Sequence, residues 1–370
     1  MRVGIVGGGQ LARMLALAAY PLGLRCTVLD PAPDACAGQV AELLQGAYDD
    51  PACLSQLAQR VDRVTFDFEN VPASTARALV RHIPVFPPPL ALEIAQDRLA
   101  EKNLFRELGI ATPPFSAVDT LAELQAAADT TGLPAILKTR RFGYDGKGQR
   151  LLKAAADITP AWDDLAGDIP LILEGFVPFE QEVSILALQD AQGHTAFYPL
   201  VRNIHRQGVL RWSHAPCQDS GLQEQARDYA TRVLQRLDYI GLLAIEFFVV
   251  NGRLLANEMA PRVHNSGHWT IEGAATSQFE NHLRAGFGFP LGSTDTIGCS
   301  AMVNCLGEMA DRPTVLAVAD AHYHDYGKPP RPGRKVGHFT LRASDPLTLN
   351  QRLASLLPED LADTLLPPDD

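Results

Sequence analysis

The sequence predicts an α/β protein that opens on a doubly wound parallel sheet. Two observations carry this expectation. Over residues 2–81, apolar β-prone runs alternate with stretches of helical periodicity, and strands separated by helices imply parallel pairing. Between the first strand and the first helix stands the turn Gly7-Gly8-Gly9, whose lack of side chains lets helix N-terminal N–H groups come close to a partner.

The elements follow in order. Arg2–Val6 reads as a strand, 10–20 as a helix, 25–29 as a strand, 51–59 as a helix, Arg63–Phe66 as a strand and 73–81 as a helix. Pro87, Pro88 and Pro89 then break the chain and mark a boundary. A single helix is expected over 90–108, ended by Gly109. Residues 133–152 read as strand, glycine-rich loop, strand, and further strands are expected at 171–174, 183–188 and 196–201. A long amphipathic helix over 222–237 precedes the apolar run 242–250, the dipeptide Asn251-Gly252 and a returning strand over 254–259. Asn-Gly between two apolar runs is a strong hairpin signal. A strand over 300–306 and a basic segment over 331–335 follow, and the Pro-rich acidic end 367–370 is expected to fray.

The 370 residues suffice for two or three domains, and 46% apolar with 20% charged residues is ordinary for a globular enzyme. No run approaches the roughly 20 apolar residues of a membrane helix, and the N-terminus reads as a strand entering a turn, not a signal peptide. Six scattered cysteines without a CxxC pair argue against a disulfide framework or zinc site and fit a reducing cytoplasm. The formal charge of −11 argues against general nucleic-acid binding. Any anionic ligand must therefore be held by local clusters of cations.

Six motifs bear on chemistry. Gly7 to Ala12, with Asp30 about 20 residues on, matches a dinucleotide-binding fingerprint; nothing downstream resembles a hydride-transfer site, so packing or contact with another ligand is the alternative. Lys138 ends an apolar strand before a loop containing Gly143, Gly146 and Gly148. A buried ammonium needs a partner, and a triphosphate supplies one beneath a mobile glycine-rich loop; the other reading is a solvated turn with a snorkelling lysine. At 174–177 a strand ends beside Phe176 and Val177, where backbone can bond an adenine, and a carboxylate such as Glu182 can hold ribose hydroxyls; taken alone, two surface glutamates are the default reading.

Glu246 and Glu258 lie on the two strands of the expected hairpin. Facing carboxylates repel unless a cation lies between them, and Mg²⁺ takes one or two carboxylates plus phosphate oxygens and water; the other reading is structural, with Glu246 paired to a buried arginine. A two-residue turn at Asn251-Gly252 would set Glu246 opposite Asn257 and turn Glu258 to the other face. Shared metal binding therefore predicts a three-residue loop, with Gly252 left-handed in a bulge and both carboxylates on one face. Last, Arg262, His264, Asn265 and His268 cluster after the hairpin, and Arg331, Arg334 and Lys335 form a cationic run suited to a phosphate, or to a solvated basic loop.

Taken in order, these features resemble the ATP-grasp superfamily. The phrases GGGQLARM, GYDGKGQ, NEMAPRVHNSGHWT and RPGRKVGH closely resemble its 5-(carboxyamino)imidazole ribonucleotide synthetases over nearly the whole chain. The resemblance implies an ATP-grasp fold with an N-terminal Rossmann-like preATP-grasp domain at 1–95. It places the ATP-grasp domain at 96–290, with a lid near 112–178, and a C-terminal domain at 291–370. It implies ATP-dependent N-carboxylation of aminoimidazole ribonucleotide by bicarbonate through carboxyphosphate, with Mg²⁺, in a cytoplasmic homodimer that binds neither nucleic acid nor membrane. Carried over by position, ATP would meet Arg98, Lys138, Gly143, Tyr144, Asp145, Gly146, Lys147, Gly148 and Gln149. It would also meet Glu174, Gly175, Phe176, Val177, Glu182, His205, Asn257 and Glu258, while Glu246 and Glu258 would hold the metal. Tyr144, Asp145, Lys147, Arg262, His264 and Asn265 would form the catalytic set. Gln10, Glu69, Lys328, Arg331, Arg334 and Lys335, with Tyr144, Lys147, Arg262 and His264, would surround the nucleotide.

One departure stands out. Many ATP-grasp enzymes, biotin carboxylase included, carry E-x-N-x-R on this strand, whereas Ala260 fills the Asn position here. A formate-using glycinamide ribonucleotide transformylase is the nearest alternative, and a nucleotide-binding oxidoreductase the alternative outside ligases.

Overall fold

The computed structural model describes residues 1–143, 147–167, 169–357, 361, 364 and 365. The first sheet is parallel throughout, in the order β3-β2-β1-β4, built from β1 (Arg2–Val6), β2 (Arg25–Asp30), β3 (Glu42–Gln45) and β4 (Arg63–Phe66). Helices α1 (Gln10–Ala19), α2 (Pro51–Arg60) and α3 (Ala73–Leu79) lie between its strands or follow them. Val3 and Ile5 pack with Leu11 and Leu15 in one apolar cluster, while Val6, Leu29, Val64 and Phe66 pack with Leu54 and Leu57 in another. Buried on both faces, these strands read as continuous apolar runs.

The glycine-rich turn is closed from within. Gly9, the residue before α1, offers no capping side chain; the Asp67 carboxylate reaches over from the end of β4 and accepts from Gly9 N at 2.9 Å and Ala12 N at 2.6 Å. A side chain on Gly9 would drive its Cβ into Asp67 Oδ2. Asp30 accepts from Gly8 N at 2.6 Å, Ala32 N at 2.8 Å and the Tyr48 hydroxyl at 2.7 Å. The fingerprint residues thus bond one another, which removes the dinucleotide reading on physical grounds.

The helix expected over 90–108 is two helices, α4 (Pro89–Ala95) and α5 (Arg98–Glu107). Asp97 causes the break, because its side chain accepts from Leu99 N and Ala100 N and starts a new helix. A small antiparallel sheet follows in the order β5-β8-β6-β7. It comprises β5 (Phe115–Val118), β6 (Ala135–Thr139), β7 (Gln149–Leu152) and β8 (Leu171–Gly175), backed by α6 (Leu121–Thr131) and α7 (Ile158–Leu165).

The large sheet has nine strands, in the order β14-β13-β9-β11-β12-β15-β17-β16 with β10 added on β9. Its strands are β9 (Gln181–Gln189), β10 (Thr195–Phe197), β11 (Val201–Arg206), β12 (Val209–Ala215), β13 (Gly241–Val250), β14 (Arg253–Ala260), β15 (Cys299–Leu306), β16 (Ala321–Asp325) and β17 (Lys335–Ala343). Helices α8 (Ser220–Arg236), α9 (Thr270–Gly273), α10 (Gln278–Phe287), α11 (Arg312–Leu316) and α12 (Pro346–Ala354) lie along the same part of the chain. On α8, Leu222, Ala226, Tyr229, Val233 and Leu234 form a stripe packed on Val183, Ile185, Leu243 and Ile245. The strand expected over 196–201 is split, since Pro199 has no N–H for the ladder and β11 starts only at Val201.

The β13–β14 hairpin departs from expectation in one respect and agrees in another. Val250 pairs with Arg253 across a two-residue turn, with Asn251 at φ 50° and Gly252 at φ 68°, so no three-residue loop forms. The extra residue sits inside the ladder instead: Phe247 pairs with Ala256, Glu246 with Glu258, and Asn257 is left over. The two carboxylates are therefore directly opposite on one face. The expected fraying of 367–370 lies outside the described residues.

Asp67→Ala leaves two N–H groups at the start of α1 without an acceptor, a loss of roughly 2–4 kcal/mol. Urea unfolding should report that decrease and a smaller one for Asp67→Asn, which keeps one acceptor oxygen. Equal stability of Asp67→Ala and the parent would show that the carboxylate does not cap the turn.

Candidate active site

Turns of the first sheet, strand β6 of the small sheet and the β13–β14 hairpin converge on a cavity of about 550 Å³. Gln10, at the start of α1, and Glu69, after β4, form one wall. Arg98 of α5, Lys138 of β6, Gly143 and Lys147 of the following loop, and Gln149 of β7 form a second. Glu246, Asn257 and Glu258 present the hairpin, with Glu182 of β9 and His205 of β11 beside them. Arg262, His264, Asn265 and Lys335 also line it.

The facing carboxylates store electrostatic cost. Burial, and then the charge of Glu258, push the Glu246 carboxyl up to about 7. Arg98 Nη1 stands 3.1 Å from Glu258 Oε2, and its other terminal nitrogen donates to Gly143 O at 3.4 Å. His205 Nδ1 lies 2.5 Å from Glu182 Oε2. Burial lowers the His205 pKa, but the bond to Glu182 and the charge of Glu246 outweigh it and raise it overall.

Lys138 is held from behind. Glu174 of β8 is 2% exposed, with Oε2 3.1 Å from Lys138 Nζ and 3.4 Å from Lys102 Nζ. Burial alone would raise the Glu174 carboxyl; Lys102, Lys138 and Arg98 outweigh it and hold it at about 2. Burial lowers Lys138, and Glu174 only partly restores it. Glu174, Gly175, Phe176 and Val177 do not line the cavity; the Glu174 side chain serves the lysines.

Across the cavity, Arg262 Nε forms a short hydrogen bond to Glu69 Oε2. Burial raises Glu69, but Arg262 outweighs it and the carboxyl ends below its ordinary value. His264 is oriented by a buried chain of hydroxyls. Asn203 Nδ2 donates to Ser184 Oγ at 2.9 Å, Ser184 donates to Ser266 Oγ at 2.8 Å, and Ser266 Oγ lies 2.9 Å from His264 Nδ1. Ser266 N also donates to that nitrogen at 3.3 Å. With its hydroxyl already accepting, Ser266 donates onward, so His264 Nδ1 is the acceptor and Nε2 carries the proton. Burial, then Arg262 and Lys335, keep this imidazole neutral by lowering its pKa far below the usual value. Its Nε2 faces Glu246 Oε1 at 3.4 Å. Asn265 and Asn304 exchange amide bonds at 3.1 and 2.7 Å.

The cationic run of 328–335 is dispersed. Lys335 lines the cavity, and Lys328 bonds Gln10 Oε1 at its edge. Arg331 is exposed, and Arg334 donates to Pro329 O at 3.3 Å outside the lining. Gly148 anchors the loop end through Thr139 N at 2.8 Å. Tyr144, Asp145 and Gly146 lie outside the described residues. Sequence reasoning missed Asp67, the Ser184–Ser266 chain, and Glu101 and Lys102 of α5. The last two had a signal: they flank buried Leu104 and Phe105 at helical spacing, placing two charges on an apolar face.

Fold and site together define an ATP-grasp protein. The ATP-grasp domain model matches residues 103–279, the ribonucleotide synthetase preATP-grasp domain matches 1–96, and the phosphoribosylaminoimidazole carboxylase C-terminal domain matches 300–352. The chain belongs to the N5-carboxyaminoimidazole ribonucleotide synthase family. It is 56% identical to the family's protein from Pseudomonas aeruginosa, over 96% of this chain and 98% of that one. The synthetase structure from Thermus thermophilus superposes with a TM-score of 0.92 at 54% identity, over 96% of this chain and 99% of the other. The synthase of Aspergillus clavatus in complex with ADP and 5-aminoimidazole ribonucleotide gives 0.89 at 28% identity, over 98% and 99%.

Because Glu174 is depressed from 4.5 to about 2, its stabilisation is complete above about pH 4.5 and fades as pH falls toward 2, about 3 kcal/mol in all. Glu174→Gln should therefore be less stable at pH 7, with a gap from the parent that narrows below pH 4.5 in urea titrations. A gap independent of pH would mean that packing, not charge, makes the contribution.

Proposed function

We propose that the protein carboxylates the exocyclic amine of 5-aminoimidazole ribonucleotide, consuming ATP and bicarbonate and releasing ADP and phosphate, in de novo purine biosynthesis. The supporting observation is a single cavity that holds Lys138, the facing Glu246 and Glu258, and the Arg262–His264–Asn265 run. A bicarbonate oxygen attacks the γ-phosphorus, the bond to the bridging oxygen breaks, and ADP and carboxyphosphate result. Carboxyphosphate divides into CO₂ and phosphate; the amine nitrogen attacks the carbon and loses a proton, leaving the carbamate.

In this reading Arg98 and Lys138 neutralise ATP phosphate charge, and Gly143, Lys147, Gly148 and Gln149 cover it. Glu182 and His205 stand at the ribose and Asn257 beside the phosphates, while the adenine edge at 174–177, outside the cavity lining, enters by resemblance alone. Arg262, Lys335 and Lys328, with Gln10 and Glu69, receive the nucleotide substrate, and His264 offers it a proton donor rather than a lone pair. Asn265, steadied by Asn304, orients it. Tyr144 and Asp145 enter by resemblance alone. Glu246 and Glu258 suit Mg²⁺: among the described residues no group of three or more His, Cys, Asp or Glu gathers as a metal cage, and Mg²⁺ needs only one or two carboxylates. Bound there, it would neutralise phosphate charge. The homodimer and cytoplasmic setting belong to the same proposal through the resemblance, and no described helix is long and apolar enough to cross a membrane. Family membership favours this reading over the formate-using transformylase.

With labelled bicarbonate, the protein should form a labelled carboxylated nucleotide, with Mg²⁺-dependent ATP hydrolysis rising when aminoimidazole ribonucleotide is added. Label entering from formate instead would return the transformylase reading.

A net charge of −11 repels a phosphate monoester, so Lys335 must supply local attraction. Removing one charge-assisted contact of roughly 1.5–3 kcal/mol should raise the nucleotide KM about 10- to 150-fold in Lys335→Ala, with the ATP KM nearly unchanged. Lys138→Ala should raise the ATP KM or abolish turnover. The opposite pattern in steady-state kinetics would assign Lys335 to ATP.

A further inference from the structure

The register that sets Glu246 across from Glu258 is not made by the turn. A two-residue turn joined to an unbroken ladder would pair Glu246 with Asn257 and send Glu258 to the far face. One inserted residue, Asn257, corrects the register between the Phe247–Ala256 and Glu246–Glu258 pairs. Something must hold that insertion in place, because an unpaired residue in an edge strand leaves backbone groups without partners.

β14 is the edge of the large sheet, and α5 takes the place of the missing neighbour. Glu101 Oε1 accepts from Met259 N at 2.6 Å, while Lys102 Nζ donates to Asn257 O at 2.7 Å and to Ala256 O at 3.3 Å. In a regular strand, consecutive carbonyls point in opposite directions. One ammonium can reach two in succession only where that alternation is broken, so the Lys102 contacts are specific to the bulge. Lys102 is 0% exposed and does not line the cavity; its countercharge is Glu174 at 3.4 Å.

We propose that Lys102 is a positioning residue for the metal-binding carboxylates. It holds both carbonyls of the bulge from behind the cavity, and thereby keeps Glu258 facing Glu246. This rests on the reading that these two glutamates hold the divalent cation. The contact also joins the small sheet to the hairpin, since Glu174 on β8 bonds Lys138 and Lys102 together.

The test is binding of Mn²⁺, as a spectroscopic probe of the Mg²⁺ site, to the full-length protein saturated with ADP, followed by electron paramagnetic resonance. Four forms are compared: parent, Lys102→Met, Glu258→Gln and the double variant. Lys102→Met should weaken Mn²⁺ binding about 10- to 100-fold, the range for residues that orient metal ligands from behind. Because Lys102 acts through Glu258, adding Lys102→Met to Glu258→Gln should weaken binding little further. A parent that binds Mn²⁺ and a folded Lys102→Met that binds it equally would overturn the inference while leaving the metal reading intact. Additive losses would also overturn it, as expected of a lysine that only stabilises the fold. A parent that binds no Mn²⁺ would remove the metal reading, and this inference with it. Should Lys102→Met fail to fold, Lys102→Leu, equally unable to bond the carbonyls, carries the same comparison; if neither folds, the lysine is a stability residue and the inference fails.

Discussion

Glu174 is buried at 2% exposure between Lys138 and Lys102, and each of those lysines leads to a different part of the site. Lys138 lies near the end of β6, before the glycine-rich loop; Lys102 holds the hairpin strand that carries Glu258. Three charges out of water are costly unless each is paired and bonded. Here the carboxylate meets both ammonium groups, and Lys102 gives its remaining donors to backbone carbonyls. Removing Glu174 would leave two buried ammonium groups without their shared carboxylate. The relative placement of the small sheet and the hairpin depends on it.

A similar balance of sign runs through the cavity. The protein is acidic as a whole, yet its cavity gathers Arg98, Lys138, Arg262 and Lys335. Each of the first three has a carboxylate partner: Glu258, Glu174 and Glu69. Such pairing lets cations be buried without an anionic ligand, and leaves them able to exchange part of that contact for phosphate oxygens. Burial and the charge of Glu258 push the Glu246 carboxyl up, and the same two causes act on Glu101 of α5. A cation between Glu246 and Glu258 would relieve the repulsion of two facing carboxylates.

Hydroxyl order does for His264 what charge does elsewhere. The Asn203–Ser184–Ser266 chain donates in one direction and terminates on Nδ1, so the proton on Nε2 is set by residues that never touch the cavity. Ser184 reaches this position because β9 pairs with β13, which puts it directly beside Glu246. The sheet thus supplies a cavity carboxylate and the support of a neighbouring imidazole from adjacent strands.

Much of this was legible in the sequence. Period, turn residues and apolar runs located β1, α1, β2, β4, α8 and the β13–β14 hairpin, because those signals are local. The motif residues Lys138, Glu182, Glu246, Glu258, Arg262, His264 and Lys335 were legible as well, since polar groups inside or at the ends of apolar strands need partners. What escaped depends on contacts between distant segments. Asp67 closes the turn at Gly9 from 58 residues away, and Lys102 reaches Asn257 across 155; no local pattern encodes either bond. Chemistry of side chains on one strand pair demanded that Glu246 and Glu258 share a face, so the sequence determined that outcome. How it was met, through a bulge at Asn257 rather than a longer turn, was decided only in the tertiary structure. A buried lysine on α5 can satisfy two successive carbonyls at the sheet edge, whereas at the turn Glu180 accepts from Asn251 N and holds the two-residue form.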